Sequence, residues 1–194
     1  MRATIRRPVI LGAIRTFFVC ASLLSAGVVQ AESFERTASG WLNQTEVDMN
    51  GNGIPINSLT VFGKGTFGKS ASNDVGETGP FAGDFCEFFP PDIVVIRLPI
   101  ISRSSIIRFA SGDLLFATLA TDGLPSSLCI DVRNGTRTVE IHMVISGGTG
   151  KFDGATGELL VTGNSTPVLT EAGLPVHIAV TQNTNCEVHL LNDD

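Results

Sequence analysis

Apolar and polar residues alternate along much of this chain with a period of two, which sends successive side chains to opposite faces of an extended strand. Over 138–146, Val139, Ile141, Met143 and Ile145 share one face, while Thr138, Glu140, His142 and Ser146 take the other. The pattern returns late in the chain, where Val176, Ile178 and Val180 oppose His177 and Thr181, and Cys186, Val188 and Leu190 oppose Glu187 and His189. Strands of this kind belong to antiparallel sheets with one buried and one wet face. Long runs with apolar residues at i, i+3, i+4 and i+7 are missing, and short segments rich in Val, Ile, Thr and Phe recur between glycine, proline and asparagine turns, so the class is all-β. Strands are predicted over 40–47, 59–67, 93–98, 105–109, 113–120, 128–132, 136–146, 159–163, 176–181 and 186–191, with some expected to merge. Residues 68–92, with their Gly, Ser, Asn and Asp and the Pro90-Pro91 pair, read as a long loop that covers one end of the sheet or borders a pocket.

Eight to ten strands in one domain must hide their edges, by closing into a barrel or by pairing two sheets. Length fits one core: 194 residues are too few for two comfortable domains. A composition 43% hydrophobic and 16% charged, with 21 glycines, excludes a disordered tail and a coiled coil.

The first 31 residues have a different purpose. Arg2, Arg6, Arg7 and Arg15 precede the apolar run 17–29, no acid occurs, and Val29-Gln30-Ala31 offers short side chains to a peptidase cutting before Glu32. That is the layout of a secretory signal. The apolar run is shorter than the roughly 20 residues a membrane anchor needs, so the expectation is cleavage, a domain over 32–194, no anchor after processing, and a secreted or periplasmic location. Removing the segment takes four arginines and moves the net charge from −6 to −10. So acidic a domain does not grip nucleic acid through its phosphates.

Three cysteines remain beyond it, Cys86, Cys129 and Cys186, an odd number in a compartment that favours disulfides. Cys86 lies in an irregular Phe- and Pro-rich segment and Cys129 opens a strand after a turn, which favours a Cys86–Cys129 link; Cys129 with Cys186 is the rival. The favoured link would close a loop of about 40 residues, worth roughly 3 to 4 kcal/mol on the chain-entropy model.

The most specific stretch is Gly147-Gly148-Thr149-Gly150-Lys151-Phe152-Asp153-Gly154-Ala155-Thr156-Gly157. It is not a P-loop, since Phe152 follows Lys151 where Ser or Thr is needed. Nor is it a dinucleotide fingerprint, because Gly154 comes one place late and a strand follows. It reads as a strand, a tight glycine bend, an apolar plug at Phe152, a second turn at Asp153-Gly154 and a returning strand.

This segment resembles the signature shared by allene oxide cyclases and dirigent proteins, in which a Val- or Ile-rich strand runs into Gly-Gly-Thr/Ser-Gly-x-Phe. The upstream Gly112-Asp113-Leu114-Leu115-Phe116 and Leu128-Cys129-Ile130-Asp131 resemble the preceding strands of the cyclase-like domain. The resemblance covers about 105–165. It implies a single closed antiparallel barrel of about eight strands with an internal apolar cavity, in which Gly147, Gly148, Gly150, Phe152, Gly154 and Gly157 are architectural and not catalytic. Cyclases of this type close a ring on a fatty-acid epoxide without a cofactor; dirigent proteins steer the coupling of phenoxy radicals. Both act by confinement and orientation. Their active-site acids lie outside the matched motif and are not carried over.

Asp48-Met49-Asn50-Gly51-Asn52-Gly53 matches the first half of a calcium loop, with oxygen-bearing Asp48, Asn50 and Asn52 at positions one, three and five. The twelfth position is Leu59, so any calcium site needs an acid from elsewhere, and a plain Asn-Gly turn is the simpler reading. His142 and His189 each have a Glu two residues away, at 140 and 187, but polar faces of such strands normally meet water. No Gly-x-Ser-x-Gly elbow supports a hydrolase.

Two functions remain. One is an exported, non-catalytic barrel binding a small apolar ligand or a partner. The other is a cofactor-free cyclase, isomerase or steering protein acting on a small hydrophobic substrate in the cavity. Ionisable side chains pointing into the interior would favour chemistry, and a purely apolar or filled interior would favour binding.

Overall fold

A computed structural model of the protein describes residues 29–86, 93–171 and 174–191. Most of the segment expected to be a signal lies outside the described residues; Val29–Ala31 belong to the first strand. Among the described residues nine strands form one antiparallel sheet: β1 (Val29–Gln44), β2 (Ile56–Gly65), β3 (Gly68–Thr78), β4 (Val95–Phe109), β5 (Leu114–Leu119), β6 (Ser127–Asp131), β7 (Arg137–Gly148), β8 (Thr156–Glu171) and β9 (Leu174–Leu191). The only helical piece among the described residues is a 3-10 turn at Gly150–Phe152.

The pairing is ring-like. From β1 it passes through β2, β3, β4, β5, β7, β8 and β9 and returns to β1. The short strands β5 and β6 share one position. β4 pairs β6 through 95–99 and β5 through 104–108, while β7 pairs β6 through 137–140 and β5 through 143–148.

The apolar alternation places the core. Ile141, Met143 and Ile145 of β7 and Ile178, Val180, Val188 and Leu190 of β9 are buried. At one end of the ring the β7 residues, Val188 and Leu190 join Phe34, Phe109, Leu115 and Phe152 in a packed cluster, where the Phe109 and Phe152 rings stack with centroids 4.7 Å apart, while Ile178 and Val180 pack with Ala38, Leu59 and Val61 in a second one. Rings held this closely add about 0.5–1.5 kcal/mol to their area burial.

Two expectations are corrected. The predicted pairs 93–98 with 105–109 and 176–181 with 186–191 are each one long strand, β4 and β9. The stretch 68–92 is not one loop, because 68–78 is β3, hydrogen-bonded to β2 and β4. Its inward positions are Ser70, Ser72, Asp74 and Gly76, so no apolar alternation marks it. A disulfide joins Cys86 to Cys129, fastening the segment after β3 to β6 and leaving Cys186 free.

Candidate ligand-binding cavity

The polar inward face of β3 has partners. Arg36 of β1 is buried and donates from Nε to Ser70 Oγ at 2.8 Å and from both Nη atoms to Ser72 Oγ at 3.3 Å. Arg103 of β4 donates from Nη2 to Asp74 Oδ2 at 2.7 Å, and Ser105 donates its hydroxyl to the other oxygen of Asp74. Burial lowers the Arg36 pKa, and the negative charge of Asp74 pulls it partly back. Buried charges persist only when they are paired and hydrogen-bonded, and this belt meets that condition with one carboxylate between two guanidinium groups.

Beyond the belt, away from the Phe152 end, the interior is hollow. A cavity of about 390 Å³ takes its walls from the inward faces of β1, β2, β3, β4, β6, β7, β8 and β9. Leu42, Leu59, Leu98, Ile100, Leu128, Ile130, Val139 and Val180 give it apolar sides. That volume lies within the range of small-molecule pockets, roughly 300–1,000 Å³. Two larger grooves, of about 860 and 660 Å³, run along the outer face instead, lined by outward residues such as Glu158, Glu187, Thr181 and Asn183.

Three charged side chains reach the cavity wall: Glu77, Arg103 and Arg137. Arg103 is held by Asp74. Glu77 is buried and accepts the side-chain amides of Asn50 at 2.9 Å and Asn52 at 3.2 Å. Arg137 is different. It opens β7 two residues before Val139, and its side chain makes no hydrogen bond or ion pair among the described residues; its Nε is buried without a partner, as are those of Arg97 and Arg103. Burial lowers its pKa, and no carboxylate offsets the effect. None of these residues was singled out from sequence, although Arg137 extends the inward series Val139, Ile141, Met143 by one step, a signal that was available.

The Asp48 loop stands at the rim, between β1 and β2. Asp48 Oδ1 accepts the backbone N–H of Gly51 at 2.8 Å and Oδ2 that of Gly53 at 2.7 Å; with the N–H groups of Asn50 and Asn52 these hold the Asp48 carboxyl below its ordinary pKa. Asn50 and Asn52 turn their amide nitrogens to Glu77, while their oxygens accept the N–H groups of Asn52 and Ile54. The acid missing at Leu59 is thus met by one from β3, but the asparagine oxygens are occupied within the turn. No group of three His, Cys, Asp or Glu able to hold a metal occurs among the described residues. His142 contacts Glu140 at 3.1 Å, and His177 contacts Asn43 at 2.7 Å.

The glycine segment lies at the opposite end, linking β7 to β8. Thr149 N–H donates to Leu114 O at 2.8 Å, Thr149 Oγ1 accepts the Leu114 N–H at 3.0 Å, and Phe152 is fully buried. Gly150 has φ +60°, and a Cβ there would collide with the Asp113 carboxyl. The segment therefore seals the packed end and does not touch the cavity. Comparison with protein-family models, curated proteins and solved structures finds no match to this chain.

Proposed function

We propose that this protein is an exported, closed antiparallel barrel of the allene oxide cyclase/dirigent-like type that binds a small, mainly apolar molecule inside the ring and leaves it chemically unchanged. The observation that carries the reading is the cavity itself: apolar side chains from six of the nine strands surround about 390 Å³ at one end, while the other end is packed solid around Phe152. The ring-like pairing and the glycine bend between β7 and β8 support the barrel assignment.

Ionisable side chains do face the interior, and that feature favours chemistry over simple binding. None of them is a free acid or base, however. Asp74 is engaged by Arg103 and Ser105, and Glu77 by two amides. Arg137 stays protonated and cannot shuttle a proton. What a fixed guanidinium can do is hold a negative charge, so the second reading is a cofactor-free cyclase, isomerase or steering protein in which Arg137 stabilises charge that develops on a confined substrate.

The test is titration of decanol, a neutral apolar probe, followed by NMR at the methyl groups of Leu128, Ile130 and Val139. Saturable one-to-one binding with the probe recovered intact is expected. No shift at those methyls would remove the binding reading.

A further inference from the structure

The interior carries an unbalanced positive charge. Among the described residues three arginines, Arg36, Arg103 and Arg137, face two carboxylates, Asp74 and Glu77, inside a chain whose net charge is −6. Asp74 lies between Arg36 and Arg103, and Glu77 is taken up by the rim loop. The excess is therefore located at Arg137, part-buried at the cavity wall with an orphaned Nε and apolar neighbours.

A buried charge without a partner is costly. Met or Leu at this position would avoid that cost, and so would a group that neutralises the charge. Among the described residues no side chain neutralises it, and a bound anion would. A guanidinium presents its N–H donors as a planar fork, and a carboxylate returns two oxygens in the same plane. The cavity also limits size. Taking about 30 Å³ as the share of one water, it holds on the order of a dozen non-hydrogen atoms.

We infer that the cavity takes a medium-chain carboxylate, its head on Arg137 and its apolar body against Leu128, Ile130, Val139 and Val180. This rests on the proposed interior binding site and adds the charge and the size of its occupant. The head group enters against the acidic exterior, so the preference resides in the wall and not in long-range attraction.

Calorimetric titration of the whole protein with decanoate and with decanol separates this inference from the reading it rests on. Decanoate is expected to bind more tightly, on the order of tenfold to a hundredfold, the worth of a charge-assisted hydrogen bond. Equal or tighter binding of decanol overturns the carboxylate while leaving the apolar site standing. Failure of both to bind overturns both. Arg137→Met is expected to abolish the preference for decanoate and to keep decanol binding; a preference that survives removes Arg137 as the anchor. Because the wild-type pair of titrations needs no variant, the inference stays falsifiable even if Arg137→Met misfolds, and Arg137→Lys, which keeps the charge, is expected to retain part of the preference.

Discussion

Gly63 of β2 lies directly beneath the guanidinium of Arg36: a Cβ at position 63 would stand 2.8 Å from Arg36 Nε and 2.7 Å from the Thr37 carbonyl oxygen. The glycine is the space in which the buried arginine rests, and the arginine is what ties β1 to the serines of β3 across β2.

Gly63→Val is accordingly expected to lower stability by about 1–3 kcal/mol, the usual cost of overpacking. It displaces Arg36 from Ser70 and Ser72 as well, which leaves a buried cation poorly satisfied and pushes the loss toward the upper end. Thermal melts of wild type and variant read this directly, and an unchanged midpoint would show that the belt tolerates rearrangement.

The glycine bend gives a paired prediction. Gly150→Val puts a β-branched side chain at φ +60° and into Asp113, and Gly148→Val drives a Cβ against Phe152 Cβ and the Leu114 carbonyl. Each variant is expected to lose about 1–3 kcal/mol, and Gly148→Val more, because its obstacles are backbone and core and cannot swing aside. Decanol binding at the far end should persist in whatever fraction folds. Chemical denaturation checks the first point and titration the second.

Strands with apolar inward faces were legible from the sequence, and those with polar ones were not. β7 and β9 declare themselves through Ile141, Met143, Ile178 and Val188, whose burial enforces the period of two. β3 has the same alternation in space, but its inward residues are Ser70, Ser72 and Asp74, so its pattern becomes visible only once Arg36 and Arg103 are placed opposite. The start of β1 was hidden likewise, with Arg36 in a position that reads as exposed. The candidate cavity was legible only as an expectation of hollow interior; its charged residues come from three strands, and nothing local in sequence brings Glu77 and Arg137 to one space.

Acid should weaken the fold through two hydrogen-bonded carboxylates, Asp48 and Asp131. Four backbone N–H groups, that of Gly53 foremost, hold Asp48 below its ordinary value of 3.8, and the Arg133 side chain does the same for Asp131. A carboxyl with a depressed folded pKa contributes stability that is fully present above its unfolded value and is lost as the pH falls through the folded one. The midpoint should therefore be flat from neutral pH to about 5 and decline below 4, less steeply in Asp48→Asn. Calcium at neutral pH is expected to leave the wild-type melt unchanged, since Asn50 and Asn52 already spend their oxygens on backbone N–H groups; a rise with calcium that Glu77→Gln abolishes would place an ion on the loop.

Cys186 should be a poor nucleophile. Burial, with Glu187 adding to it, pushes its thiol up to about 12, so almost none is thiolate at pH 8. Iodoacetamide is expected to label it slowly in the native protein and rapidly after unfolding. Non-reducing peptide maps should return Cys86 joined to Cys129.

The shared position of β5 and β6 has a mechanical consequence. A hoop is as strong as its weakest joint, and here seven positions are single continuous strands while the eighth is spliced from pieces of six and five residues. Across the splice, residues 120–126 reach the neighbouring strands through a few isolated bonds, among them Ala120 N–H to His142 O and Ile100 N–H to Ser126 O. Opening free energies follow such local bonding. The ring can gape at the splice while the remaining strands stay zipped, and the covalent tie on Cys129 sets how far the β6 half can swing.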